Sequence, residues 1–174
     1  MSGYRVVALG QQTADEVRRS LRAPGYGHPA HVEMASGSGP CRLCLEPFRT
    51  GEEERVLFTY NPFRSQAGMP CPGPIFVHKT PCSRYEGSGF PSALLGLPLT
   101  LEGYDHRGLA LLRVGVSGDP DGSVEEVLSK PQVAYAHIRN TEAGCFIARI
   151  ERVDAGSQAI AISASAWVRT GITS

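Results

Sequence analysis

Val133-Ala134-Tyr135-Ala136-His137-Ile138-Arg139, then Asn140-Thr141-Glu142-Ala143-Gly144, then Cys145-Phe146-Ile147-Ala148-Arg149-Ile150-Glu151: this stretch decides the fold. Both outer segments alternate between two kinds of residue, apart from Ile147. A period of two marks a strand with one buried face. The five linking residues suit a hairpin loop. Pairing Arg139 with Cys145 puts Ala134, Ala136 and Ile138 on one face with Phe146, Ala148 and Ile150, and that face is core. The other face carries Tyr135, His137, Arg139, Cys145, Arg149 and Glu151. A one-residue slip on either strand would mix the two sets, so the register is strongly specified.

Outward from this hairpin, other strands follow from the same pattern. Leu99 to Tyr104 and Leu109 to Val116 read as a second hairpin around Asp105-His106-Arg107-Gly108. Arg55 to Tyr60 and Pro74 to His78 read as strands, and Arg5 to Leu9 as a short first one. Helices are few. Thr13-Ala14-Asp15-Glu16 is a capping box, with Thr13 as N-cap and Val17 and Leu21 on one face. Ser123-Val124-Glu125-Glu126 is a second box, for a helix over Val124 to Leu128. Pro91 to Leu95 has room for one helical turn, and Asp119-Pro120-Asp121-Gly122 reads as a turn. Residues 25–40 are rich in Gly, Pro and Ser and read as a loop in which His28 and His31 are solvated. The expected fold is therefore α+β: a mostly antiparallel sheet with two or three short helices in one domain over residues 1–153. Residues 154–174 form a C-terminal extension, either a last strand or a tail.

A chain of 174 residues can bury a core without disulfide staples. Its 17 basic and 17 acidic residues balance, which argues against nucleic acid as partner and against a polybasic membrane anchor. No apolar run approaches the ~18 residues of a membrane span. The first apolar run, within Tyr4 to Leu9, is too short for a signal peptide. Five cysteines is an odd count, which suits reduced thiols and a cytoplasmic location.

Two clusters of residues carry chemistry. The first is Cys41-x2-Cys44 with His78-x3-Cys82 far downstream. Each pair has the ligand types and spacing for half of a tetrahedral zinc site, and Cys71 is a substitute ligand. The rival readings are small buried cysteines and a redox dithiol; no helix starts at Cys44 to support the latter. The second cluster is the polar hairpin face. Arg139 beside Cys145 would favour its thiolate, and His137 would exchange protons, which makes His137 and Cys145 the candidate catalytic pair. Arg139 and Arg149, joined by Arg42 and Tyr60 if the strands are neighbours, suit a carboxylate or phosphate. The plain alternative is a solvated outer sheet face with Arg149 paired to Glu151 or Tyr135. The glycines of Ser36-Gly37-Ser38-Gly39 have no Lys-Ser/Thr after them, so they form no P-loop.

Pro40-Cys41-Arg42, Gly51-Glu52, Gly73-Pro74-Ile75-Phe76, Gly103-Tyr104-Asp105, His137-Ile138-Arg139-Asn140 and Gly144-Cys145-Phe146 with Arg149 occur in that order. Together they resemble the small bacterial proteins grouped as domain of unknown function 1203. The resemblance spans Tyr4 to Val153. It implies a single bacterial domain and no assigned activity. Two function classes follow from the residues. One is a site for a small anionic molecule, binding or catalytic, on the hairpin face. The other is a zinc-stabilised, non-enzymatic module that works through a protein partner.

Overall fold

The computed structural model of the chain describes residues 3–37, 39–63 and 72–154. Its elements are β1 (Tyr4–Val7), α1 (Gln11–Ser20), β2 (His31–Met34), β3 (Glu54–Tyr60), β4 (Gly73–His78), a 3-10 turn (Ser92–Leu94), β5 (Leu99–Tyr104), β6 (Ala110–Gly115), α2 (Pro120–Leu128), β7 (Tyr135–Asn140) and β8 (Phe146–Arg152). The strands form two antiparallel sheets: β1-β8-β7-β5-β6, and β2-β3-β4. The architecture is α+β and mostly sheet, as the hairpin pattern implied. Among the described residues no helix is long and apolar enough to cross a membrane. Cys71 and the extension beyond residue 154 lie outside the described residues.

Each sheet has its own core. In the larger one Leu101, Ala136, Ile138, Ala148 and Ile150 pack with Val124 and Val127 of α2. In the smaller one Val56, Phe58, Ile75 and Val77 pack with Ala14 and Val17 of α1. Arg42 stitches the two together. Its backbone N–H donates to Phe76 O of β4 (2.9 Å), its carbonyl accepts from Leu9 N (2.9 Å), and its Nε donates to Phe146 O of β8 (2.7 Å). The side chain is buried, and burial pushes its pKa down to about 10. A buried guanidinium is stable only when carbonyls accept its protons, and Pro40 O takes Nη1 at 2.6 Å.

Four sequence expectations need correction. Thr13 is not an N-cap: α1 starts earlier, at Gly10, whose carbonyl accepts from Ala14 N, and Leu21 ends it in a left-handed conformation with its side chain exposed. Asp119 to Gly122 is not a free turn but the opening of α2. The Asp119 side chain accepts from Gly122 N (3.0 Å) and Pro120 holds the first helical φ, a stronger start than the box at Ser123. Residues 25–40 are not all loop, because His31 opens β2. Glu33 lies opposite Arg55 of β3 and pairs with it at 2.7 Å, which gives this short polar strand its register.

The fourth correction is in the deciding hairpin. Arg139 pairs with Phe146, not Cys145, and the register shifts between Ile138 and Arg139 so that Ile138 faces Ala148. The shift makes room for Ile147, the residue that broke the alternation. Ile147 joins the core, and Phe146 turns to the opposite face, against the His137 ring. An apolar residue at each of two successive positions is accommodated by a bulge.

Gly103 of β5 lies tight against Leu112 of β6 and Val127 of α2. A Cβ there would come within 2.7 Å of Leu112 Cδ2 and 3.0 Å of Val127 Cγ1. Gly103→Val should therefore overpack the helix–sheet junction and cost about 1–3 kcal/mol. Urea unfolding would show a lower midpoint at unchanged m-value; an unchanged midpoint would mean that α2 does not depend on this approach.

Candidate metal centre

Cys41 and Cys44 sit on one tight turn. Cys41 O accepts from Leu45 N (2.9 Å), and Cys41 N donates to Glu46 O (2.9 Å). Leu45 closes the turn with φ 63°, a left-handed conformation that costs a non-glycine residue energy and is held by its buried side chain. His78 is the last residue of β4, and Cys82 follows four positions later. The turn reaches β4 because Arg42, inside it, donates its N–H to Phe76 O.

The result is a cluster of one histidine and three cysteines. The ligand atoms of Cys41, Cys44, His78 and Cys82 all lie within 4.8 Å of one another. Cys41 Sγ is 3.8 Å from Cys82 Sγ, and Cys44 Sγ is 3.5 Å from His78 Nδ1. A tetrahedral zinc ion has arms of about 2.3 Å to sulfur and about 2.0–2.1 Å to nitrogen. Its ligands then stand about 3.8 Å apart for two sulfurs and about 3.5 Å for sulfur and nitrogen. Both separations match. The cluster could bind a metal such as zinc.

The surroundings fit the same chemistry. His78 Nε2 is 3.3 Å from Glu53 Oε2, and Phe48 packs on the ring at 4.5 Å between centroids. A carboxylate on the far nitrogen fixes the tautomer that leaves Nδ1 for a metal. Glu53 is itself held by Arg49, whose backbone N–H donates at 2.8 Å and whose Nε donates at 3.1 Å. His78 N donates to Cys41 Sγ, and Arg18 Nη2 donates to Cys82 Sγ, both at 3.3 Å. Three thiolates and a zinc ion carry one net negative charge, which the nearby Arg18 guanidinium offsets. Arg18 is fixed in turn by His78 O (2.8 Å). Hydrogen bonds from Cys44 and Cys82 hold the Cys41 thiol far below its usual range, and His78 is raised, first by its bond with Cys41. Neither Arg18 nor Glu53 carries a sequence signal for this role, since each reaches the cluster from another element.

The residues proposed for an anion site are arranged differently. Arg42 is buried between the sheets, as described. Tyr60 packs beside Phe146, ring centroids 5.7 Å apart. Arg149 pairs with Glu151 at 2.9 Å and lies over the Tyr135 ring at 3.9 Å. Arg139 is shared among Glu102 (Nε, 2.7 Å), Gly144 O (Nη1, 3.0 Å) and His137 Nδ1 (Nη2, 3.3 Å). Cys145 Sγ donates to Ala143 O at 3.7 Å.

The hairpin face is not a solvated outer surface around His137. That ring is fully buried among Phe63, Tyr104, Tyr135 and Phe146, with centroids 4.8–5.4 Å away. Its Nε2 has no hydrogen-bond partner among the described residues. Burial, then the charges of Arg139 and Arg149, push its pKa down to about 2. His137 is thus neutral in the fold, while an unfolded chain takes up its proton below about pH 6.5. Its contribution to stability is complete above that pH and is lost as pH falls, by about 3 kcal/mol two units lower. His137→Phe should flatten the acid limb of a stability–pH curve by that amount relative to wild type. Equal slopes in the two proteins would refute this.

Sheets, helices and a cysteine–histidine cluster together define a small α+β domain with a candidate metal centre. A family described as a protein of unknown function (DUF1203) matches residues 38–152, and the chain belongs to that family. The match leaves out β1, α1 and β2, although β1 completes the larger sheet beside β8. No curated protein and no solved structure gives a significant match to the chain.

Proposed function

We propose that the protein is a zinc-stabilised, non-enzymatic module in which Cys41, Cys44, His78 and Cys82 hold one structural zinc ion. The reading is carried by two of the six ligand separations, 3.8 Å and 3.5 Å, which match the edge lengths expected of a zinc tetrahedron. Four protein ligands leave no open position for water or substrate, the mark of a structural rather than a catalytic zinc. The ion would tie the Cys41–Cys44 turn to the end of β4 and, through Arg18, to α1. The smaller sheet would then act as one rigid unit that presents its surface to a protein partner. Native mass spectrometry of the full chain tests the metal directly: about one zinc per chain is expected. A metal-free spectrum that stays metal-free when zinc is added to the reduced protein would end the proposal.

A further inference from the structure

The larger sheet carries a second cluster of charged groups, remote in sequence from the four cysteine and histidine ligands. Glu102 of β5 is buried, yet it is charged and central. It lies opposite Arg113 of β6 on one side and His137 of β7 on the other. Its carboxylate accepts from the Tyr104 hydroxyl and pairs with Arg113 Nε and Arg139 Nε. Two guanidiniums share one carboxylate here, so the cluster holds a net positive charge. A cleft of about 680 Å³ opens over it, lined by Phe63, Tyr104, Leu109 and Ala110 together with Glu102, Arg113 and Arg139. A cleft of this size with apolar walls and a few converging polar groups is the usual form of a small-molecule site.

We propose that this cleft binds a small organic anion, a carboxylate or phosphate group on an apolar body, and that Arg113 meets the anion. Arg139 is not the contact. Its Nη1 and Nη2 are committed to Gly144 O and His137 Nδ1, and its Nε stands 2.7 Å from the Glu102 carboxylate as an ion pair. Arg113 uses Nε for Glu102, its side chain is 72% exposed, and its two terminal nitrogens have no partner among the described residues. Its fork is oriented by Glu102 but unspent, and a planar fork suits the two oxygens of a carboxylate or phosphate. Leu109, 60% exposed at the cleft wall, offers apolar surface to the body of the ligand. The Thr100 and Thr141 hydroxyls bond each other at 2.8 Å and Asn140 Oδ1 accepts from its own loop, so these polar groups add no competing charge. The site stands independently of the zinc reading.

The test uses the full chain as purified, with benzoate, phenyl phosphate and inorganic phosphate as probes. Amide resonances of residues 100–113 and 139–144 are followed by NMR titration. Saturable shifts with benzoate or phenyl phosphate are expected, and the tighter of the two identifies the head group. Arg113→Ala should weaken that binding by about ten- to a hundredfold, the loss of a charge-assisted hydrogen bond. Arg113→Lys keeps the charge beside Glu102 and loses the fork, so it should bind more weakly than wild type. The proposal is overturned if neither organic probe saturates, or if both variants bind as wild type does. It is also overturned if inorganic phosphate binds as tightly as phenyl phosphate, since the apolar walls would then contribute nothing.

Discussion

Stripping the metal should lower the melting temperature by at least about 10–20 °C. Apparent zinc affinities of structural sites run to about 10–16 kcal/mol, comparable with the whole stability of a domain. Even about 5 kcal/mol of that, in a chain of this size, corresponds to the stated shift. The diagnostic variant is Cys44→Ser rather than Cys41→Ser. Cys41 is fully buried, so its loss would cost packing energy with or without a metal. Cys44 is half-buried, and as a mere thiol its replacement should be mild. If it is a ligand, Cys44→Ser should approach the effect of chelation and make the variant insensitive to chelator. Cys145→Ser is the control. That thiol lies outside the four-residue cluster and bonds Ala143 O of its own loop, so the change should stay within about 0.5 kcal/mol. Cys44→Ser as mild as Cys145→Ser, in a protein that ignores chelator, would sink the structural-zinc reading.

The second large effect is expected at Glu102. Its carboxylate balances Arg139, whose side chain is only 19% exposed, and satisfies the buried Tyr104 hydroxyl. Glu102→Ala leaves both without that partner. Removing one member of a buried pair costs about 3–5 kcal/mol, because the remaining charge is uncompensated. For this chain length that is a drop of about 6–20 °C in melting temperature. The two arginines should not contribute equally. Arg113 is largely exposed, and exposed pairs are worth about 0–1 kcal/mol. A double-mutant cycle should therefore show a larger coupling of Glu102 with Arg139 than with Arg113. Glu102→Ala melting within a degree or two of wild type, or a cycle with the order reversed, would show that the carboxylate is solvated and not structural. This measurement also bears on the cleft, because an Arg113 that Glu102 does not hold would lose its orientation.

The two effects involve different kinds of residue, and the sequence treats them differently. Cys41, Cys44, His78 and Cys82 stand out because thiols and imidazoles at short spacings are rare and have few chemical uses. The sequence could not show that the two halves meet. That depends on β4 running antiparallel beside β3 and on the backbone bond from Arg42 to Phe76, both long-range. The sequence signal for Glu102 is a single charged residue inside the apolar run Leu99 to Tyr104. Its partners come from β6 and β7, and only strand order places them side by side.

Local pattern alone determined that the chain is α+β, that residues 133–151 form a hairpin, and that Leu99 to Tyr104 pairs with the strand after it. Alternation and turn residues are properties of a few neighbouring positions, so they survive without a tertiary structure. Helix starts were less secure, because Asp119-Pro120 and Gly10 outcompete nearby capping boxes that look equally good in one dimension. The hairpin faces depended on one bulge. Ile147 entering the core sends Phe146 to the far face, and there Phe63 and Tyr104 from other segments close over His137. A face that reads as polar from the alternation, whether as a site or as a solvated surface, holds a buried aromatic shell around a neutral histidine. Only the tertiary structure could decide this, because burial is set by what packs on a strand from elsewhere in the chain, and no residue on the strand encodes its own cover.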